Sequence, residues 1–143
     1  MKAASAGFSL VELLLALALV GVATGTAVRI AAALDRSLAE QAGARLLAAT
    51  LEEAWLAAYR TQQPAAVEAG PGAGRIRLAT AGAEHSVLLP AGVRVLAATR
   101  SGHAVFYPSG LSDNASWRVA AQRRKGGRSP VVILNQRSGV RLH

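Results

Sequence analysis

The sequence contains no cysteine, so neither a disulfide nor a thiolate-bound metal can form. Acids are scarce beyond Gly70, where Glu84 and Asp113 face eleven Lys or Arg residues and the C-terminal half stands at +9 by formal count. Two isolated carboxylates offer no pair for acid–base chemistry and no calcium cage. His85, His103 and His143 show no metal-ligand spacing. Ser109, His103 and Asp113 have the residue types of a hydrolytic triad, but nothing around the serine makes a nucleophile elbow. Asp113-Asn114 reads as loop chemistry. No catalysis, metal or cofactor is expected. Charge is also nearly missing from residues 8–28, a run of 21 residues in which Glu12 is the sole ionisable side chain. From residue 30 to 61 there is no proline, and Gly43 is the single glycine.

What remains is an apolar start followed by a basic body. The 143 residues suit one domain, and about 110 of them lie beyond the apolar run, enough for a small core. A helix over residues 8–28 is about 30 Å long and crosses a bilayer's hydrocarbon. A charge at the bilayer centre costs on the order of 3 kcal/mol, less near the edge where Glu12 sits, so this carboxylate asks for a partner. One alternative is a secretory signal cut near Ala31-Ala32-Ala33, but such signals have an uncharged apolar region of roughly 7–15 residues. A plain membrane anchor is another, and it leaves Glu12 unexplained. The basic body admits nucleic acid, anionic lipid or an acidic protein as partner.

Leu34, Leu38, Ala42 and Leu46 recur at four-residue steps, as do Leu47, Leu51, Trp55 and Tyr59. Such steps place each set on one helix face. Asp35, Glu40, Glu52 and Arg60 fall largely between them. The pattern predicts one helix from Phe8 to Thr61, about 80 Å long, whose second half packs on a sheet. Trp55 and Tyr59 read as core packing. Gly21 and Gly25 lower helix propensity, yet small residues let membrane helices approach closely.

Gln62-Gln63-Pro64 ends the helix, and Gly70-Pro71-Gly72-Ala73-Gly74 is a loop by composition. The period then changes to two, as in Arg75-Ile76-Arg77-Leu78. Further strands are expected at 85–89, 93–97, 104–107, 117–121, 131–135 and 140–142. The separators between strands are Gly- and Pro-bearing turns, which indicates antiparallel sheet. The fold class is α+β: a long N-terminal helix, membrane-spanning then amphipathic, packed on a C-terminal antiparallel sheet domain.

Gly7-Phe8-Ser9-Leu10-Val11-Glu12, leading into an apolar helix, resembles the class III leader of type IV pilins and type II secretion pseudopilins. The resemblance implies that a prepilin peptidase cuts between Gly7 and Phe8 and methylates the new amine of Phe8. Glu12 then takes the family's fifth mature position, where it compensates the N-terminal amine of a neighbouring subunit. A charge pair in low dielectric is strongly attractive, and either charge alone is costly, so the pair acts as a register device. Segments follow: leader 1–7, membrane part 8–29, periplasmic half of the helix 30–62, and pilin-like body 63–143. The implied topology is a single pass through the bacterial inner membrane, with a cytoplasmic N-terminus and a periplasmic body. The charges run the other way, because Lys2 faces Arg29, Arg36 and Arg45 across the span.

Val105-Phe106-Tyr107-Pro108-Ser109-Gly110 is similar to the phenylalanine-x-proline-x-glycine turn of H-type minor pseudopilins and the related FimT-like minor pilins. The final strand–turn–strand, 131–142, is similar to the end of the same group. The group implies a structural subunit of a type II secretion pseudopilus. Its partners would be the other minor pseudopilins, the major pseudopilin, prepilin peptidase and inner-membrane lipid. The alternative is a FimT-like minor pilin that binds DNA during uptake. DNA-binding members carry a C-terminal glycine-arginine-x-arginine motif; here Ser138-Gly139-Val140-Arg141 lacks its first arginine. Arg123, Arg124, Lys125, Arg128 and Arg141 remain the candidate anion or DNA contacts, with a solvated basic loop as the reading preferred over DNA binding.

Overall fold

The computed structural model describes residues 9–121, 129–135 and 139–142. Ser9 precedes helix α1 (Leu10–Thr61), and its carbonyl accepts the N–H groups of Glu12 and Leu13 at 2.9 and 3.0 Å. The helix is continuous through Gly21 and Gly25. It stops where Gln62 turns left-handed at φ 55°, a conformation that closes many helix C-termini. The Gln62 side chain donates to the Tyr59 carbonyl at 2.7 Å, and Pro64 cannot continue the helix.

The chain divides into two compact units, one up to Asp35 and one from Arg36 onward. In the first, every apolar side chain larger than alanine from Leu10 to Leu34 is exposed. Thr24 and Thr26 sit in this run with their hydroxyls donating to backbone carbonyls one turn earlier, at 2.7 Å to Val20 and 2.8 Å to Ala23. That removes the need for outside hydrogen-bond partners.

The second unit holds eight strands: β1 (Ala65–Glu68), β2 (Arg75–Thr80), β3 (Ala83–Leu88), β4 (Val93–Ala98), β5 (His103–Phe106), β6 (Ala115–Ala121), β7 (Val131–Leu134) and β8 (Val140–Leu142). Among the described residues they form two antiparallel four-stranded sheets, ordered β3-β2-β1-β5 and β4-β6-β7-β8. The chain changes sheet after β3, after β4 and after β5. The loop around Gly72 covers the free edge of β4: Gly72 N–H donates to the Val95 carbonyl at 2.7 Å, and Val95 N–H to Ala73 at 3.0 Å. The change from β4 to β5 runs through a short helical turn, Thr99–Gly102, in which Arg100, Ser101 and Gly102 all have positive φ. Only glycine fits at Gly102, because a Cβ there would lie 2.1 Å from the Ala69 carbonyl oxygen.

One core joins the helix to both sheets within this unit. Leu47 and Leu51 of α1 meet Val67, Ile76, Leu78 and Phe106 of the first sheet and Val95, Trp117, Val119 and Leu134 of the second, all buried. Burying each such side chain stabilises by about 1.5–3 kcal/mol before entropy is counted. The helix approaches the second sheet most closely at Gly43, where a Cβ would stand 3.0 Å from Val93 Cγ1 and 3.3 Å from Val119 Cγ1.

The long helix and the antiparallel sheets are as expected, but the buried stripe of the helix is not. It runs through Glu40, Gly43, Ala44, Leu47, Ala48, Leu51, Ala54 and Ala58. Leu34 and Leu38 are 60% and 64% exposed, and Ala42 is exposed too. The apolar steps of four were real, but alanines and a glycine form the packed face because they let the helix lie close to the sheets. Tyr59 is also exposed, at 58%, and stacks on half-buried Trp55 with ring centroids 6.2 Å apart. Strand β1 was not anticipated, yet it lies between β2 and β5. Two alanines directly after Gln62-Gln63-Pro64 carry little strand propensity, and only its position between two partners makes the segment extended.

Candidate functional site

The N-terminal site is built on the first turn of α1. Ser9 and Glu12 have the serine-x-x-glutamate spacing of a capping box, in which the glutamate would turn back on the serine's backbone. Only backbone bonds form here: Ser9 accepts through its carbonyl, and no hydrogen bond links the two side chains. Glu12 is exposed, and its charge lies in the first helical turn, where the helix dipole favours an anion. The carboxylate is thus presented outward from an exposed apolar helix. Gly7 and Phe8, the expected cleavage and methylation positions, lie outside the described residues. Helix α1 contains a stretch long and apolar enough to cross a membrane.

The basic candidates fall at the other end of the chain. Arg123, Arg124, Lys125 and Arg128 lie outside the described residues. Their flanks are fixed: β6 and β7 are antiparallel neighbours with Arg118 opposite Val131, and Val119 N–H donates to the Pro130 carbonyl at 3.1 Å. Arg141 is exposed on β8, opposite Ile133.

Glu40, which falls between the apolar steps of the helix, is 2% exposed. Its Oε1 accepts the N–H of Ala121, the last residue of β6, at 3.0 Å. A buried carboxylate is tolerated only with such bonds. The signal in the sequence was weak: Glu40 precedes Gly43-Ala44 by three and four residues, on the small-residue face of the helix.

The remaining polar residues do not converge. Asp113 Oδ1 lies 3.0 Å from Arg100 Nη1, and its Oδ2 accepts from Val105 N–H at 3.4 Å. Asp113 is therefore committed to structure, and among the described residues no hydrogen bond links it to His103 or Ser109. His85 pairs with Glu53 at 3.5 Å. Among the described residues, no group of three His, Asp or Glu side chains could hold a metal. A cavity of about 300 Å³ beside β2 is lined by Glu68, Gly70, Ala73, Gly74, Arg75 and Arg77. Arg77 lies 3.9 Å from Glu68, so that acid partly offsets the arginine charge there.

The family model described as the prokaryotic N-terminal methylation motif matches residues 2–28, a range that contains Gly7, Phe8 and Glu12. Two crystal structures of the type IV minor pilin FimU from Pseudomonas aeruginosa share the fold. In the P21 form the TM-score is 0.57 at 15% identity, covering 72% of this chain and 87% of that one. In the P65 form the values are 0.55 and 14%, covering 72% and 91%. No curated protein sequence matches the chain. An N-terminal methylation motif thus stands on a type IV pilin-like fold.

Proposed function

We propose that this chain is a minor subunit of a pilin-like filament, an assembly protein rather than a catalyst. The observation that carries the reading is the methylation motif joined to a helix whose apolar side chains larger than alanine, from Leu10 to Leu34, are all exposed. Exposed apolar surface of that extent needs cover from lipid or neighbouring helices. Prepilin peptidase cuts after Gly7, Phe8 gains an N-methylated amine, and Glu12 of one subunit pairs with the amine of the next. Residues 8–29 then span the inner membrane before assembly, with the body in the periplasm.

Within that reading, the subunit is an H-type minor pseudopilin of a type II secretion pseudopilus. The Phe106–Gly110 stretch, the closing pair β7–β8 and the valine at position 140 support this assignment. A minor pilin of a type IV pilus is the second reading, favoured by the likeness to FimU and by the basic surface. In its DNA-uptake form, Arg123, Arg124, Lys125, Arg128 and Arg141 would meet phosphate.

Mass spectrometry of the mature chain tests the class: the expected N-terminus is N-methylated Phe8, and a start near Leu34 overturns it. A duplex-DNA shift assay on the full chain in detergent separates the machines. No binding at low salt favours secretion. Salt-sensitive binding abolished by alanine at Arg123, Arg124 and Lys125 favours uptake.

A further inference from the structure

We infer that the outer face of the β4-β6-β7-β8 sheet is a docking surface for a carboxylate-bearing protein, a neighbouring subunit of the filament. The inference rests on the assembly reading above and adds to it a face and a partner chemistry. Strand alternation decides which residues the face holds. Val95, Trp117, Val119 and Val132 point inward to the core, so their neighbours Arg94, Arg118, Val131 and Ile133 point outward. Ala120, opposite Arg94, shares that side but is fully buried, so the open face runs from Arg118 across Val131 and Ile133. Arg141 lies opposite Ile133 and joins them. The register shift between Val95 and Ala97 adds Leu96, 47% exposed.

Arg94, Arg118 and Arg141 are exposed, and no ion pair engages any of them among the described residues; Arg94 Nη1 donates only to the Gly72 carbonyl, at 3.5 Å. The described acids lie elsewhere. Asp113 is held by Arg100, Glu68 and Glu84 belong to the other sheet, Glu40 lies buried on α1, Glu53 pairs with His85, and Glu12, Asp35 and Glu52 are carried on α1. Among the described residues the face is therefore cationic without internal compensation, and its complement is an anion.

The side chains between the arginines select the class of anion. Single-stranded nucleic acid on a sheet is gripped by aromatic rings that stack bases, and this face has none: Trp117 faces the core. Half-buried Val131 and Ile133 with Leu96 make an aliphatic floor under guanidinium groups. That composition, rich in Arg and aliphatic carbon and, among the described residues, free of Lys, is that of a protein–protein interface.

Two single-cysteine forms of the full chain test this in assembled filaments, and the absence of native cysteine makes each label unique. Ser116→Cys lies on the proposed face, paired with Ile133, and Ser86→Cys lies on the other sheet. Each is loaded with a maleimide–diazirine crosslinker and illuminated. Ser116→Cys is expected to join a pilin-like subunit through an acidic peptide. Adding Arg118→Glu and Arg141→Glu should cut the yield at least tenfold, and lysine at the crosslinked acids should restore it. Adducts from Ser86→Cys alone, adducts only to nucleic acid or lipid, or a yield indifferent to charge reversal would overturn the docking face. The two readings fail separately. Absence of the wild-type chain from sheared filaments sinks the assembly reading, whereas its presence together with an unaffected double-reversal variant sinks only the docking face.

Discussion

Gly43 shows at one residue how opposing terms decide an outcome. Replacing it with alanine gains about 1 kcal/mol of helix propensity. The new Cβ would stand 3.0 and 3.3 Å from two valine methyls, and overpacking of that kind costs about 1–3 kcal/mol. Gly43→Ala should therefore lower stability by about 1 kcal/mol in denaturation of the full chain in detergent, followed through the fluorescence of Trp55 and Trp117. A raised midpoint would show that the valines yield freely. Glu40 acts on the same face through a bond rather than a shape. Glu40→Ala removes the acceptor of the Ala121 N–H and should cost about 1–3 kcal/mol, with faster amide exchange at Ala121. Glu40→Gln, which keeps an oxygen acceptor, should retain most of the protection at that amide. Equal loss in both variants would mean that the charge matters, not the hydrogen bond.

Among the elements, β1 is the sharpest test of the topology. It is short, yet it pairs with β2 through Ala66, Val67 and Glu68 and with β5 along its whole length. Proline at Ala66 removes a ladder donor from a strand bonded on both sides, a change worth about 3 kcal/mol or more. Ala66→Pro should broaden or abolish the cooperative unfolding of the body; a sharp, unshifted transition would count against the strand order. The same strand marks the limit of what could be read from the residues. Helix α1 was legible because no proline interrupts it and Gln62-Gln63-Pro64 closes it. Strand β2 was legible because Arg75-Ile76-Arg77-Leu78 alternates. β1 was not, because Ala65-Ala66 has no pattern of its own and depends on neighbours far along the chain. Leu34, Leu38 and Tyr59 misled for a related reason: apolar periodicity shows that a face exists, not whether the chain itself covers it. Glu40 was hidden because a charged residue at a helical step is ordinarily solvated.

For the whole molecule, the proposed function depends on a small region at the N-terminus whose motif was legible in the sequence. Glu12 stood out because a charge inside an apolar run is costly, and Gly7-Phe8 through the resemblance to a class III leader. Glu12→Ala should still be processed and inserted but should be lost from sheared filaments by tenfold or more. The wild-type carboxylate is exposed, so its removal leaves the stability of the body unchanged. Normal filament entry by this variant would remove the charge-pair account of register. The basic end of the chain was equally visible as charge, but charge alone does not choose among phosphate, lipid and carboxylate. The strand alternation in β6 and β7 narrowed that choice by showing which aliphatic side chains lie between the arginines.

The changes of sheet after β3, β4 and β5 also bear on how the body comes into being. A ribosome delivers α1 first, then three strands of one sheet, then a single strand of the other. The first sheet waits for β5, the second for β6, β7 and β8, and the shared core closes only when both are in place. Neither sheet is then an independent folding unit, and the many distant pairings slow the search. A subunit of this topology therefore has a late and cooperative moment of completion. Until then, the docking face on the second sheet does not exist.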